Sequence, residues 1–403
     1  MAKEPRLFEI PGFRLAAVKA GLKASGQPDL GLIAADEPVS AAGVFTTNQV
    51  SAAPVKLCRA HLRENGSRAR AVLVNAGIAN ACTGAQGLRD ARACARAVAR
   101  ALRCRTREVL IASTGIIGKS LPMDKMLAGI EQAAGLLPSS RSGRLFSRAI
   151  LTTDTAPKEA GTAFRLGGKT VRLAGATKGS GMIAPRMATT LTFLLTDAAV
   201  RPAVLQELLE ETVRETLNRV TIDSDTSTND TALLLASGRA GHGVLARARS
   251  REALTFRAAL REVLGRLARQ IARDGEGATR LVRVAVKGAK SRYEAEWAAR
   301  AVADSPLVKT ALAGADPNWG RILMAVGKSA ALVREERVRV AIAGVPVFRD
   351  GSPLPFRPSE VSRRMKREEV LLEIDLRLGR GEAEILTCDL NHGYITVNAE
   401  YHT

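Results

Sequence analysis

One stretch of the chain combines a lysine, two glycines and a threonine preceded by alanine: it reads Lys178-Gly-Ser-Gly-Met-Ile-Ala-Pro-Arg-Met-Ala-Thr-Thr-Leu191. The hydroxyl of Thr189 is a weak nucleophile and needs a base beside it. Its own α-amino group, with an ordinary pKa of about 7.7–8.0, suits that task near neutral pH. The amine exists only if the chain is cut between Ala188 and Thr189. The segment suggests a precursor that cleaves itself there, although an Ala-Thr pair before an apolar run is also typical of the start of a strand.

A second candidate follows the predicted strand Val109–Ala112, where the chain reads Ser113-Thr-Gly-Ile-Ile-Gly-Lys-Ser120. Two residues separate the glycines where a Walker phosphate loop needs four, so nucleotide binding is rejected. The hydroxyl of Thr114 and the N–H of Gly115 could instead face a carbonyl oxygen, as an oxyanion hole requires. An ordinary glycine at a strand-to-turn junction explains the same residues, and composition alone favours it.

Two acidic loops could also contribute polar groups. Residues Thr221–Asp230 include three aspartates and three threonines but lack the glycine and terminal glutamate of an EF-hand. A polar loop satisfied by its own backbone is therefore favoured over a metal site. In Asp274-Gly-Glu-Gly-Ala-Thr279, Glu276 lies between two glycines, which is typical of a solvated turn. Its carboxylate could also pair with the ammonium group of a ligand.

The composition limits the classes of protein and partner. A chain of 403 residues fits about two or three domains, and 46% hydrophobic with 25% charged residues is normal for a soluble globular protein. The net charge of +20 would usually point to nucleic acid. The arginines are spread along the whole chain, however, and aromatic residues for base stacking make up only 3%. We therefore expect a solvated basic surface and no nucleic-acid partner.

Cysteine usage and the absence of targeting segments predict the cytoplasm. The five cysteines are odd in number and show no CxxC or zinc spacing, which is typical of reduced thiols in a cytosolic protein. The N-terminus lacks the apolar region of a signal peptide. No apolar run approaches the length that would span a membrane.

Helical and strand patterns alternate in both halves, so the fold class is predicted to be α/β. Apolar residues recur at steps of three and four in segments 88–102 and 260–271, and Pro202–Val220 is a third predicted helix. The C-terminal segment Tyr394–Thr403 carries a strand-like alternation. Further predicted strands are Ala71–Val74, Val109–Ala112, Leu281–Val286, Val338–Ala343, Leu371–Leu376 and Glu384–Asp389.

The string KGSGMIAPRMAT closely resembles the cleavage segment of the ornithine acetyltransferase family, also called bifunctional glutamate N-acetyltransferase. The resemblance spans nearly the whole chain, in the family's order. The other matching blocks are Gly43–Asn48, Val74–Gly84, Leu151–Thr155, Asp225–Asp230, Asp274–Thr279, Asp316–Ile322 and Asn398–Tyr401.

The resemblance implies an α/β sandwich of sheets and helices, similar to N-terminal nucleophile enzymes. It implies two pieces, 1–188 and 189–403, that stay interleaved in one fold, with two copies of each. It assigns the oxyanion hole to Thr114 and Gly115. The positions that match the family's substrate contacts are Thr152, Lys178, Thr189, Glu276, Asn398 and Thr403, with Thr153 as the alternative to Thr152.

The implied reaction is a two-step acetyl transfer. Thr189 takes the acetyl group from N-acetylornithine, ornithine departs, and glutamate attacks the acetyl ester. No metal or organic cofactor is required. Some relatives also accept acetyl-CoA, and the sequence leaves that activity open.

The sequence departs from the family at Arg186 and Ile78, where asparagine is usual, and at Thr190, where methionine is usual. Thr190 offers a second hydroxyl, but the Met-Ala-Thr alignment favours Thr189 as the nucleophile. An N-terminal nucleophile amidase or aminopeptidase, in which water attacks the acyl-enzyme, is the alternative function. A non-enzymatic basic binding protein is the other class that the charge allows.

Overall fold

The computed structural model of the protein describes residues 4–138, 143–184 and 190–400. The predicted cleavage bond between Ala188 and Thr189, the departure at Arg186 and the predicted contact Thr403 lie outside the described residues.

The described strands form two sheets, and the first has eight strands in the order β4-β3-β2-β8-β7-β6-β5, with β1 paired to β2 beside this path. Neighbours β3 and β4, and β7 and β8, are parallel, whereas the other pairs are antiparallel. The strands are β1 (Phe13–Val18), β2 (Leu30–Phe45), β3 (Arg68–Ile78), β4 (Val109–Ile116), β5 (Lys158–Leu166), β6 (Lys169–Lys178), β7 (Leu191–Thr196) and β8 (Thr231–Ala236).

The long strand β2 joins two halves of this sheet. Its first half lies between β1 and β3, and after a register shift between Ala34 and Val39 its second half pairs with β8. One buried cluster takes Val72 and Leu110 from the first half and Phe193 from the second, with Phe146 edge-on to Phe193 at 5.5 Å between ring centroids. The two halves therefore face each other across a shared core.

Helices cover the outer faces of the two halves. The helices within the described ranges are α1 (Ala53–Glu64), α2 (Gly84–Leu102), α3 (Met123–Leu136), α4 (Phe146–Ala149), α5 (Pro202–Glu215), α6 (Arg251–Arg273), α7 (Arg292–Ala303), α8 (Pro306–Ala313), α9 (Trp319–Gly327), α10 (Pro358–Met365) and α11 (His392–Glu400). Helices α2 and α3 pack on residues such as Leu73 of the first half, and α5 and α6 pack on residues such as Leu194 of the second. The layers are thus helix, sheet, sheet, helix, and the predicted α/β sandwich is confirmed.

The helices form where the apolar period matches a sheet face. Helix α6 begins at Ser250, whose hydroxyl accepts the N–H of Ala253 at 3.2 Å, and its stripe of buried leucines includes Leu260 and Leu267. Helix α5 ends at Glu215, five residues before the predicted Val220, and a 3₁₀ turn over Leu217–Arg219 follows. There the backbone leaves the helical conformation at Thr216, and Val220 instead bridges to Leu386 of the second sheet.

The second sheet has six strands in the order β12-β11-β10-β13-β9-β14, with β9 and β13 parallel. Its buried residues, among them Val284 and Leu372, pack with α7, α9 and α10 in a separate core. Its strands are β9 (Leu281–Ala289), β10 (Arg339–Ile342), β11 (Val345–Arg349), β12 (Ser352–Pro353), β13 (Glu369–Asp375) and β14 (Gly381–Cys388).

The first sheet contains strands from both sides of the predicted cut. Strand β6, before the cut, pairs with β7 after it, in a register that puts Lys178 opposite Leu191. Strand β2 likewise pairs with β8. Strands on both sides of the predicted cut therefore contribute to the first sheet, whereas the described strands of the second sheet all follow it.

The predicted C-terminal strand is wrong, because His392–Glu400 forms helix α11. Strand β14 ends at Cys388, and Asn391 then turns the chain by accepting the N–H of Gly393 at 2.7 Å. Helical bonds follow, in which the hydroxyl of Thr396 donates to the carbonyl of His392 at 3.1 Å. The alternating side chains do not mark a buried face, since Ile395 is 63% exposed.

Among the helices of the described residues, none has the length and apolar character that crossing a membrane requires.

The buried stripe of α6 predicts that a leucine substitution on this helix lowers stability according to how deeply the side chain is buried. Leu267→Ala removes a wholly buried side chain and should lower the free energy of unfolding by roughly 2–5 kcal/mol. Leu254→Ala, on the same helix but 44% exposed, is the control and should cost less than about 1 kcal/mol. Urea unfolding followed by circular dichroism measures both, and equal costs would contradict this packing.

Candidate active site

A cavity of about 100 Å³ lies where β4 and β6 end, beside the loop that follows α6. It brings together all the predicted site residues that the structure describes. These wall residues are Thr114, Gly115, Thr152, Thr153, Lys178, Glu276 and Asn398. A larger cavity of about 620 Å³ is lined by strands of the second sheet and contains none of them.

The Thr114-Gly115 pair closes the end of β4 against β3. Gly115 has φ +124°, and a Cβ there would lie 2.2 Å from the carbonyl carbon of Gly77, so only glycine fits. The amide of Asn229 donates to the carbonyls of Ala79 at 2.7 Å and Ser113 at 2.8 Å. The block Asp225–Asp230 thus supports the site structurally, as the sequence predicted.

Lys178 reaches the same point from the end of β6. Its Nζ donates to Oγ1 of Thr114 at 3.2 Å, which places a cation beside the predicted oxyanion hole. Burial lowers the pKa of Lys178, and the nearby carboxylate of Asp154 opposes that effect. The site therefore combines an ammonium group with hydroxyl and backbone donors, which is suited to stabilising a negatively charged oxygen.

Thr152 and Thr153 both lie in the cavity wall, so their position alone does not choose between them. The N–H of Thr152 donates to Oδ2 of Asp154 at 3.2 Å. The hydroxyl of Thr153 is hydrogen-bonded to that of Ser180 at 2.7 Å. Within the described part of the chain, the hydroxyl of Thr152 makes no hydrogen bond to another residue, so of the two hydroxyls it is the one available to a ligand.

Glu276 and Asn398 meet across the opposite wall. The amide Nδ2 of Asn398 donates to Oε2 of Glu276 at 2.8 Å. The N–H of Glu276 donates to the carbonyl of Ser180 at 2.8 Å, and Gly181 faces the carboxylate so closely that a Cβ there would lie 2.2 Å from Oε2. Although α11 was predicted as a strand, it still carries Asn398 into the site.

Sequence reasoning missed three ionised groups behind this wall: Asp154, Lys158 and Asp274. Nζ of Lys158 lies 2.6 Å from Oδ1 of Asp154 and also contacts Asp274. The spacing of Asp154 and Lys158, four residues apart, was the one local signal. The pairing with Asp274, more than a hundred residues away, left no sequence pattern.

Asp223 was predicted to belong to a self-satisfied loop, and it also anchors the segment before the cut. Its carboxylate accepts the N–H groups of Met182 at 2.5 Å, of Ile183 at 2.7 Å and of Asp225 at 3.1 Å. Burial raises the pKa of Asp223 against the opposing effect of these hydrogen bonds.

Comparison with known proteins decides the family. Residues 14–403 match the ArgJ family. The chain belongs to the ArgJ family. The Arginine biosynthesis bifunctional protein ArgJ of Chlorobaculum tepidum is 46% identical over 403 residues, which cover 98% of this chain and 97% of that protein.

Two solved structures are similar to this ArgJ-family chain. The crystal structure of the Arginine biosynthesis bifunctional protein ArgJ from Bacillus halodurans is 40% identical with a TM-score of 0.51, and the match covers 52% of this chain and 98% of that one. A chain of the ornithine acetyltransferase of Mycobacterium tuberculosis, complexed with ornithine, is 38% identical with a TM-score of 0.40, covering 46% of this chain and 96% of that one. The family match and the Chlorobaculum tepidum relative confirm the family that the sequence predicted.

The close approach of Gly115 to Gly77 predicts that position 115 does not tolerate a side chain. Gly115→Ala forces a methyl group into backbone atoms and should lower the free energy of unfolding by about 3 kcal/mol or more. Gly118→Ala is the matched control, because Gly118 also has a positive φ (+79°) but nothing within 4 Å of a Cβ. We expect that control to cost about 1 kcal/mol. Chemical unfolding of both variants tests this, and a harmless Gly115→Ala would refute the close approach.

Proposed function

We propose that this chain cleaves itself between Ala188 and Thr189 and then moves the acetyl group of N-acetylornithine to glutamate through an ester on Thr189. Membership of the ArgJ family, whose relatives are named for arginine biosynthesis, supports acetyl transfer in that pathway. The observation that carries the proposal is the cavity in which Thr114, Gly115 and Lys178 converge, whose wall also includes Met182, shortly before the proposed cut.

The environment of Thr190 supports Thr189 as the nucleophile. Thr190 is 5% exposed, and its hydroxyl is hydrogen-bonded to the hydroxyl of Thr192 at 2.9 Å. Its carbonyl accepts the N–H of Thr231 at 2.9 Å, so its backbone is tied to the first residue of β8. A buried hydroxyl that is already hydrogen-bonded is poorly suited to attack a substrate. This supports Thr189, the preceding residue, as the nucleophile.

The length of the solved Bacillus halodurans chain supports the cut. That chain matches over 98% of its own length while covering 52% of this one. Residues 189–403 make up about 53% of the 403-residue sequence. A separate polypeptide of that size is what cleavage before Thr189 would give.

The wall residues have complementary tasks in the proposed reaction. Thr189 Oγ attacks the acetyl carbonyl with its own amine as the base, and Thr114 with Gly115 stabilises the oxyanion. The carboxylate of Glu276, oriented by Asn398, binds the ammonium group of the substrate. Lys178 neutralises a substrate carboxylate or the developing oxyanion. Thr152 and Thr403 complete the proposed set of substrate contacts.

We further propose a cytoplasmic assembly with two copies of each fragment. The thiols of the chain are all free. Burial raises the pKa of Cys58 and Cys94 to about 12 and that of Cys104 to about 11. Burial also raises the pKa of Cys388, whereas Cys82 is exposed. Unpaired thiols are typical of a reducing compartment.

Self-cleavage is tested by the intact mass of the purified protein. The wild type should give two fragments, the larger beginning at Thr189, and Thr189→Ala should stay whole because it lacks the attacking hydroxyl. Thr190→Val, which removes the neighbouring hydroxyl at nearly constant volume, is the control and should still be cut. Cleavage of Thr189→Ala, or an uncut Thr190→Val, would move the nucleophile elsewhere.

The identity of the acetyl acceptor separates the transferase from the alternative amidase. With N-acetylornithine as donor, added glutamate should yield N-acetylglutamate in preference to free acetate, with the parallel-line kinetics of a ping-pong reaction. Acetate release at a rate independent of glutamate would instead indicate an amidase. The same assay with acetyl-CoA as donor tests for the second activity that some relatives have.

A further inference from the structure

A group of buried charges lies directly behind the cavity. The side chain of Asp154 is fully buried and that of Lys158 is 3% exposed, with Asp274 15% exposed beyond them. Lys158 bridges the two carboxylates, and the hydroxyl and N–H of Thr155 also donate to Asp274. We call Asp154, Lys158 and Asp274 the buried ion cluster.

Stability alone is a weak reason to bury these ions. Removing a carboxylate or an ammonium group from water costs several kcal/mol, and attraction to a partner often only offsets that cost. Apolar side chains of similar volume would commonly serve a core as well. Charged groups retained at a cleft are therefore candidates for a role in the chemistry of that cleft.

The carboxylate of Asp154 ties two wall segments together. Its Oδ1 accepts the N–H of Gly179 at 2.7 Å, directly after Lys178, and its Oδ2 accepts the N–H of Thr152 at 3.2 Å. Through Lys158 it also reaches Asp274, which ends α6 two residues before Glu276. Asp154 is thus linked to the segments that carry three of the predicted substrate contacts, Thr152, Lys178 and Glu276.

We propose that Asp154 is a positioning residue for acetyl transfer: its carboxylate fixes the segments that carry Thr152 and Lys178 and places a buried negative charge behind the Lys178 side chain. The inference rests on the proposed function and deepens it. It assigns Asp154 no contact with substrate. Lys158 has the opposite electrostatic effect on Lys178, because a second ammonium group nearby disfavours its charge.

The electrostatics of the described residues agree with this arrangement. Burial would raise the pKa of Asp154, but Lys178 and Lys158 outweigh it and hold that pKa below its ordinary value. Burial lowers the pKa of Lys178, Asp154 raises it, and Lys158 lowers it further. Burial also lowers the pKa of Lys23, on the same side of the site, to about 8. The charged groups that act on Lys178 are Asp154, Lys158, Glu276, Asp230 and Lys23.

Substitutions of Asp154 and of Lys158 should shift the pH profile of activity in opposite directions. If transfer needs protonated Lys178, activity falls as pH rises through the pKa of Lys178. Asp154→Asn removes an attractive charge, lowers that pKa further and should move the alkaline limb of kcat/KM to lower pH. Lys158→Gln removes a repulsive charge, raises that pKa and should move the limb to higher pH.

The experiment compares self-cleaved wild type, Asp154→Asn and Lys158→Gln in acetyl transfer from N-acetylornithine to glutamate between pH 6 and 10. We expect Asp154→Asn to lose about 100-fold in kcat near neutral pH, because both charge and alignment suffer. Asp36→Asn, which removes an exposed partner of Arg14, is the control and should match wild type. If the cluster has only a structural role, both variants should lose activity, but the alkaline limbs of their kcat/KM profiles should stay at the same pH.

A second measurement covers the case in which Asp154→Asn fails to mature. Competitive acetylation of lysines with acetic anhydride, read by mass spectrometry on the peptide that contains Lys178, follows the protonation of that amine in cut or uncut protein. Lys178 should become reactive at lower pH in Asp154→Asn and at higher pH in Lys158→Gln. Unchanged reactivity, or shifts of the same sign, would overturn the inference. Absence of transfer in the wild type would instead overturn the proposed function.

Discussion

The pairing of β7 with strands on both sides is the constraint on which the site depends. β7 is antiparallel to β6 and parallel to β8, and all six of its residues are buried. A break in the segment before β7 therefore leaves the new end attached to the middle of a sheet. The sheet holds the chain at Leu191 opposite Lys178 by backbone hydrogen bonds, so the nucleophile proposed two residues earlier starts from a fixed point.

The sequence predicted well those helices and strands in which the recurrence of apolar residues matches the face that is buried. The leucine stripe of α6 and the apolar runs of β4 and β9 are buried against other elements, and such burial leaves a periodic or continuous apolar pattern in the sequence. Helix α11 was missed because it has no buried residue, so its apolar side chains do not follow a helical period. The early end of α5 was missed because a bridge to Leu386, far along the chain, decides where the backbone leaves the helix.

The residues of the site likewise divide into those that sequence motifs predicted and those that only the structure reveals. Thr114, Gly115, Lys178, Glu276 and Asn398 were predicted through motifs, and the structure brings them to one cavity. The buried ion cluster was invisible, because Asp274 and Lys158 are paired only in three dimensions. By contrast, exposed ion pairs such as that of Arg273 with Glu368 are typical of a solvated surface, and such pairs contribute little to stability.

The uneven burial of the cysteines has a practical consequence for spectroscopy. Three thiols are buried and that of Cys104 is half-buried, all four with raised pKa values, whereas Cys82 is exposed. Cys82 lies three residues after Ala79, which lines the cavity. A maleimide fluorophore would therefore attach mainly at one place, close enough to the cavity to report ligand entry without any engineered cysteine.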